Sequence, residues 1–484
     1  MTNDVPTYDA PRFDAPALAE HVATTWEQSI LPTLVEYIRI PNVSEAYDAD
    51  WAEAGHMDRA IELARAWCAA RRIAGMTLSV ETLPGRTPVL VCDIPAFGGA
   101  DPDGRTVLLY GHLDKQPPMH GWRDGLGPWE PVVEDGRLYG RGGADDGYAT
   151  FASLTAIEAI QAAGGRHARC VVLAECSEES GSPDLPAHLE ALGDRIGRPS
   201  LVVCLDSGCA TYDRLWVTTS LRGNLIADLR VDVLTEGVHS GDAGGVVPSS
   251  FRVLRRLLDR VEDPDTGRIL LPEMQAAVPA EREAALAATA DELGTELTAF
   301  PWAGTTHSPW DGPAADYLAR TWQASLALTG MDGIPPGSQA GNVLRPFTTA
   351  TMSFRLPPGV DPDAASAALT EALQTDPPQD AQVTLTVHSA EAGWDAPPTA
   401  PWLATALDAA SEAAFGRASS TMGEGGTIPF MAMLGHQFPD AQFLITGVLG
   451  PGTNAHGPNE YLHLETAQRV TVAVAHVVAS HAAS

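Results

Sequence analysis

Apolar residues recur at helical spacing in two stretches near the N-terminus. Residues 17–40 (ALAEHVATTWEQSILPTLVEYIRI) read as a helical region interrupted near Pro32 and ended by Pro41. Residues 56–73 (HMDRAIELARAWCAARRI) give a second amphipathic helix, with Ile61, Ala64, Trp67 and Cys68 on one face. Short β-rich runs follow: TLSVETL (77–83), PVLVCDI (88–94) and TVLLYGH (106–112). Residues 150–164 predict a helix ended by Gly164 and Gly165, and the strand ARCVVLAEC (168–176) comes next. A helix around 186–196 then leads to the run SLVVCLDSG (200–208). Each of these strands is a continuous apolar run, and strands alternate with helices. That combination specifies an α/β fold, a mostly parallel sheet with helices on both faces.

The pattern changes after Trp216. RGNLIADLRVDVL (222–234) and ATMSFRLPPG (350–359) alternate polar with apolar residues, the mark of a sheet with one wet face. Between them lie a helix at 249–261 and an Ala/Glu-rich helical stretch near 280–294, and another helix follows at 363–374. The α/β pattern resumes with a helix at 399–416 and the strand AQFLITGV (441–448). The expected organisation is therefore a first domain of residues 1–217 and 394–484, with an α+β domain of residues 218–393 inserted into it. A chain of 484 residues is too long for one ordinary core, which agrees with two domains.

Charge narrows the functional classes. Lys and Arg number 30 against 62 Asp and Glu, a formal charge of −32, which disfavours nucleic acid and anionic membrane surfaces as partners. A solvated acidic surface accounts for most of that excess, and carboxylates holding cations for a smaller part. Cys68, Cys92, Cys170, Cys176, Cys204 and Cys209 form no CxxC pair, so the expectation is free thiols rather than a disulfide framework. The N-terminus is polar and acidic, without the features of a signal peptide, and no apolar run reaches spanning length. The expected setting is cytoplasmic.

Five clusters carry candidate chemistry. In TVLLYGHLDKQP (106–117) a strand delivers His112 at its carboxyl end, where open α/β sheets place their sites, and Asp114 is placed to fix its tautomer. A lone His–x–Asp pair is more often structural than ligating. In LYGRGGADDGYATF (138–151) glycines bring Asp145 and Asp146 to the start of a helix; the alternative is a silent N-cap worth about 1 kcal/mol. A dinucleotide fingerprint, and with it a nicotinamide-dependent enzyme, is the rival reading, disfavoured by the missing third glycine. In VVLAECSEESGS (171–182) an apolar strand runs into Glu178 and Glu179. Adjacent carboxylates repel, unless a cation neutralises one while the other works as an acid or base; the alternative is a solvated acidic loop. Asp206 ends the apolar strand of LVVCLDSG, and His456 lies in a Gly/Pro-rich loop, PGTNAHGPNEYLHLE (451–465). Together His, Asp, Glu, Asp and His form an N/O ligand set suited to zinc, manganese or cobalt. Two divalent cations, three carboxylates and one hydroxide sum to zero charge, which favours a pair of ions.

The order GHLD, GRGGADD, EESGS, LDSG and AHGPNE resembles the M20 family of metallopeptidases, and within it the cytosolic dipeptidase and carnosinase-like branch, over nearly the whole chain. The resemblance implies a zinc-peptidase-type α/β domain in which His112 and Asp206 bind one metal, Glu179 and His456 the other, and Asp145 both. Zn2+ is the metal it implies first, with Mn2+ and Co2+ as substitutes. Asp114 would orient His112, and Glu178 would be the general base. A cis peptide is expected between Asp145 and Asp146. The inserted domain would be a lid and homodimerisation domain, in which 233–250 supplies His239 to stabilise an oxyanion across the dimer. Asn342, Arg355 and the Gly425, Gly426 and Thr427 loop would contact a small peptide substrate; the alternative for Arg355 is a salt bridge on its strand face. One departure stands out: the branch carries a Lys after the paired aspartates, and this chain has Gly147. The expected activity is dipeptide hydrolysis. The rivals are hydrolysis of N-acyl amino acids or carbamoyl compounds at the same site, and a non-catalytic metal-binding protein of the same fold.

Overall fold

The computed structural model describes residues 12–100 and 104–484. The polar N-terminal stretch, residues 1–11, lies outside the described residues. The chain forms two compact units. The first contains the described residues up to Thr219, with Ala396–Met422 and Met433–Ser484. The second contains Ser220–Asp395 and Gly423–Ala432. The pattern of elements predicts all of 394–484 in the first domain, whereas Gly423–Ala432 joins the second unit. Hydrogen bonds hold it there: Tyr317 Oη donates to Gly423 O at 3.0 Å and accepts from Gly423 N at 2.9 Å, and Arg222 Nε donates to Gly425 O at 3.1 Å.

The first unit is built on a six-stranded sheet. Thr106–His112 pairs in parallel with Arg169–Glu175 on one side and Pro199–Cys204 on the other, and Gln442–Ile445 extends the parallel set. Val89–Ile94 and Thr77–Glu81 close the opposite edge in antiparallel order. Every residue of Thr106–His112 is buried, so both sheet faces are covered, as an unbroken apolar run requires. Helix Ala149–Ala162 is buried from Ala149 to Ile160 and packs against that strand and against helix Leu464–His481, which in turn packs on Pro401–Phe415. The helical region expected to break near Pro32 stays helical from Ala15 to Ile38 and passes through one widened turn at Trp26–Ile30. Proline lacks the N–H that would bond one turn back, and the widened turn ahead of it accommodates the ring. All six cysteines are buried. Among the described residues, no helix is long and apolar enough to cross a membrane.

The second unit has a four-stranded antiparallel sheet, with Ser325–Asp332 at one edge, then Phe347–Leu356, Gly223–Asp232 and Gln382–Glu391. Burial alternates strictly along Gly223–Asp232 and Phe347–Leu356. Leu225, Leu229, Met352 and Phe354 pack there with Val253, Leu254 and Leu257 of helix Ser250–Leu258 and Leu369 and Leu373 of helix Pro362–Gln374.

Candidate metal centre

Three strands of the parallel sheet end in chemistry. His112 closes Thr106–His112, wholly buried, and its Nδ1 lies 3.2 Å from Asp114 O and 3.4 Å from Asp114 Oδ1. The Asp114 carboxylate also accepts from Glu178 N at 3.1 Å and Glu179 N at 3.0 Å, so one side chain fixes both the imidazole and the turn carrying two glutamates. That turn follows Arg169–Glu175, and Asp206 follows Pro199–Cys204. Asp145 comes from the glycine turn, whose Gly142 has φ 80°, and the Asp145–Asp146 peptide is cis.

These side chains converge. Asp145 Oδ1 lies 3.3 Å from His112 Nε2, and Asp145 Oδ2 lies 2.9 Å from His456 Nε2. Asp206 Oδ2 is 3.8 Å from His112 Nε2, and Glu179 Oε2 is 3.2 Å from His456 Nε2. Two potential cation-holding groups result, His112–Asp145–Asp206 and Asp145–Glu179–His456, each with ligand atoms within 4.8 Å of one another and sharing Asp145. Glu178 belongs to neither group; its Oε2 stands 3.9 Å from His112 Nε2. Gln116 Nε2 donates to Glu179 Oε2 at 2.7 Å.

The electrostatics describe a site short of positive charge. Burial, with the charges of Asp206 and Glu179, pushes the Glu178 carboxyl well above the usual range, and burial also raises Glu179 and Asp206. Burial works in the same direction on Asp145, but the neighbouring His112 and His456 imidazoles outweigh it and hold that carboxyl low. The histidines respond in kind. Partial loss of solvent around the ring opposes charge on His456, yet Asp145 and Glu179 raise it to about 12. His112 Nε2 and Glu179 Oε1 are buried without a hydrogen-bond partner. An imidazole nitrogen and a carboxylate oxygen left bare beside clustered carboxylates are the donors a divalent cation takes, so the residues fit the metals that the sequence implied.

The remaining candidates lie in the second unit. His239 is exposed and its Nδ1 accepts from Gly241 N at 3.2 Å. Asn342 is exposed, and its carbonyl accepts from Ser240 N at 2.9 Å. Arg355 Nη1 donates to Thr427 Oγ1 at 2.9 Å, and Thr427 Oγ1 donates to Arg222 O at 2.6 Å. Among the described residues Arg355 makes no ion pair, and its side-chain bond is the one to Thr427. Gly425 and Gly426 sit in the same loop as Thr427, half-buried and exposed respectively.

Sequence reasoning missed a second layer. Lys115 is buried, donates to Tyr37 O and Ile40 O at 2.7 Å each, and lies 3.8 Å over the Tyr37 ring. Arg141 and Glu460 form a fully buried ion pair. Glu175 takes hydrogen bonds from Tyr110, Ser177 and Ser182, and burial pushes its carboxyl up to about 7. The absent Lys also finds its reason: a Cβ on Gly147 would stand 2.3 Å from Tyr37 Cε1 and 2.5 Å from Gly142 O, so no side chain fits.

Comparison with known proteins places the chain in a family. The chain is 27% identical over 375 residues to a cysteinylglycine-S-conjugate dipeptidase of Corynebacterium striatum, covering 77% of this chain and 80% of that one. It is 26% identical over 381 residues to a Cys-Gly metallodipeptidase of Schizosaccharomyces pombe, covering 76% and 78%. Its fold is similar to the solved structure of a dipeptidase from Saccharomyces cerevisiae, with a TM-score of 0.78 at 21% identity over 97% of this chain and 99% of that one. The model of peptidase family M20/M25/M40 matches residues 108–480, a span that begins within the His112 strand and runs past His456, and the chain belongs to that family.

Proposed function

We propose that this protein is a metallodipeptidase that uses two divalent cations, Zn2+ in first place, and Glu178 as general base. One observation carries the reading: the two oxygens of Asp145 face different histidines, at 3.3 and 2.9 Å, so a single carboxylate serves both ligand groups. When bound, the two cations supply Lewis-acid polarisation of the scissile carbonyl and acidify the attacking water. His112 and Asp206 would hold one ion, Glu179 and His456 the other, and Asp145 would serve both groups. Asp114 keeps the His112 ring in place. Glu178, held apart from both ligand groups, takes the proton of the attacking water and returns it to the departing amine. Arg355, with Gly425, Gly426 and Thr427, binds the substrate's terminal carboxylate. Asn342 contacts the peptide, and His239 donates to the oxyanion across a homodimer formed by the second unit. The reaction takes place in the cytoplasm. The relatives' names, dipeptidases acting on Cys-Gly and its S-conjugates, support dipeptides as the substrate class.

Rates on Cys-Gly and Ala-Ala against N-acetyl amino acids, each with added Zn2+ and with chelator, test the reading. Turnover of free dipeptides, lost with chelator, is the expected result. Faster hydrolysis of blocked substrates transfers the assignment to the amidohydrolase alternative.

A further inference from the structure

His456 differs from the other clustered ligands in how it is held. His112 sits on a buried strand, whereas the His456 side chain is 55% exposed on a loop outside helix and strand. The loop backbone adopts left-handed conformations at three non-glycine residues, Asn454 (φ 56°), His456 (φ 65°) and Asn459 (φ 62°). Hydrogen bonds hold the loop: Arg123 N donates to Asn459 Oδ1 at 2.7 Å and Asn454 Nδ2 to Pro458 O at 2.5 Å. Arg141 is the side chain that bonds to the backbone of His456 itself. Its Nη2 donates to His456 O at 2.9 Å and Gly457 O at 3.0 Å, its Nη1 binds the Glu460 carboxylate, and its Nε donates to Pro117 O at 3.3 Å. The other Glu460 oxygen accepts from Gly142 N at 2.8 Å, and Gly140 N donates to Glu460 O at 3.0 Å. The pair therefore ties the loop carrying His456 to the glycine turn carrying Asp145. Both side chains are at most 1% exposed, so these bonds are free of competition from water.

We propose that Arg141 and Glu460 are a positioning pair that sets the affinity of the cation position made by Asp145, Glu179 and His456, without touching the ion. The inference rests on the two-cation reading above. A guanidinium reaches two carbonyls and a carboxylate at once because its donors are fixed in a fork, and an ammonium cannot reproduce that geometry. Arg141→Lys keeps the charge opposite Glu460 and removes the fork. Losses of roughly ten- to hundredfold in metal affinity are typical when an outer partner of a ligand is altered.

Calorimetric titration of the full chain with Zn2+ tests this, comparing wild type with R141K, E460Q, H456A and R141K/H456A. Wild type is expected to take two ions; a single ion would overturn the two-cation reading itself. R141K is expected to bind one ion as wild type does and the other, the one that H456A also weakens or removes, about ten- to hundredfold more weakly. R141K/H456A is expected to match H456A, because the pair acts through that histidine. Wild-type affinity for both ions in R141K, equal weakening of both, or an added loss in the double variant overturns the proposal. If circular dichroism shows R141K unfolded, E460Q decides by the same criteria.

Discussion

Glu178 is the proposed general base: it lies among the clustered side chains yet belongs to neither potential cation-holding group. Burial and the charges of Asp206 and Glu179 raise its proton affinity, which suits a group that must hold a proton between attack and departure. Glu178→Gln preserves size and removes only that capacity. Turnover of a dipeptide is expected to fall by roughly 10²–10⁴-fold while metal content, measured on the same preparation, is unchanged. Loss of metal together with activity would make Glu178 a ligand instead. The residues at strand ends were legible in the sequence because an apolar run that stops at His112, Glu178–Glu179 or Asp206 is anomalous as packing. Arg141 and Glu460 were not: their meaning lies in a partner 319 residues away, and an isolated Arg in a glycine turn reads as surface. Lys115 was hidden for the same reason, since its acceptors are backbone carbonyls of another segment.

Elements show the same division between local and distant causes. Strands buried on both faces declare themselves as apolar runs, and those of the second unit with one wet face declare themselves by alternation. Ser325–Asp332 does neither, for it is an edge strand with Leu328 and Met331 exposed, and only its ladder to Phe347–Leu356 defines it. The glycine turn before helix Ala149–Ala162 is legible as a turn, but the reason for Gly147 lies in Tyr37, whose hydroxyl donates to Leu113 O at 2.7 Å beside His112. Gly147→Ala drives a methyl into that ring and into Gly142 O, both rigidly placed. The expected cost is about 1–3 kcal/mol, read as a lower midpoint in thermal unfolding. An unchanged midpoint would mean that the helix start can shift. The C-terminal helix gives a pH prediction. His476, edge-on to Phe13 at 4.8 Å between ring centres, is lowered to about 4 by burial. The unfolded chain takes up this proton near pH 6.5 and the folded chain only near 4, so stability is full above 6.5 and falls as pH drops through that window. The loss is on the order of 3 kcal/mol. His476→Leu removes the titrating group, and its midpoint should fall less steeply between those pH values than that of the wild type.

At the scale of the molecule, the ligand set links sequence-distant parts of the first unit, from His112 in the sheet to His456 in the C-terminal loop. The unfolded chain contains no such arrangement, so cations that bind these groups bind the folded state alone, and their binding energy adds to folding stability. The carboxylates make the effect larger than ligation by neutral groups, because Glu178, Glu179 and Asp206 are all raised, by burial first and then by neighbouring carboxylates, a repulsion that a cation relieves. Thermal unfolding of the full chain with chelator and with graded Zn2+ measures it. At a free ion concentration a hundredfold above the dissociation constant, about 2.7 kcal/mol of added stability is expected, growing with the logarithm of concentration. Asp145→Ala removes the one ligand common to both groups. Its midpoint is expected to be far less responsive to Zn2+, which separates binding at this cluster from adventitious binding at an acidic surface of net charge −32. A midpoint that rises equally in wild type and Asp145→Ala would place the cation elsewhere, and with it the chemistry assigned to these side chains.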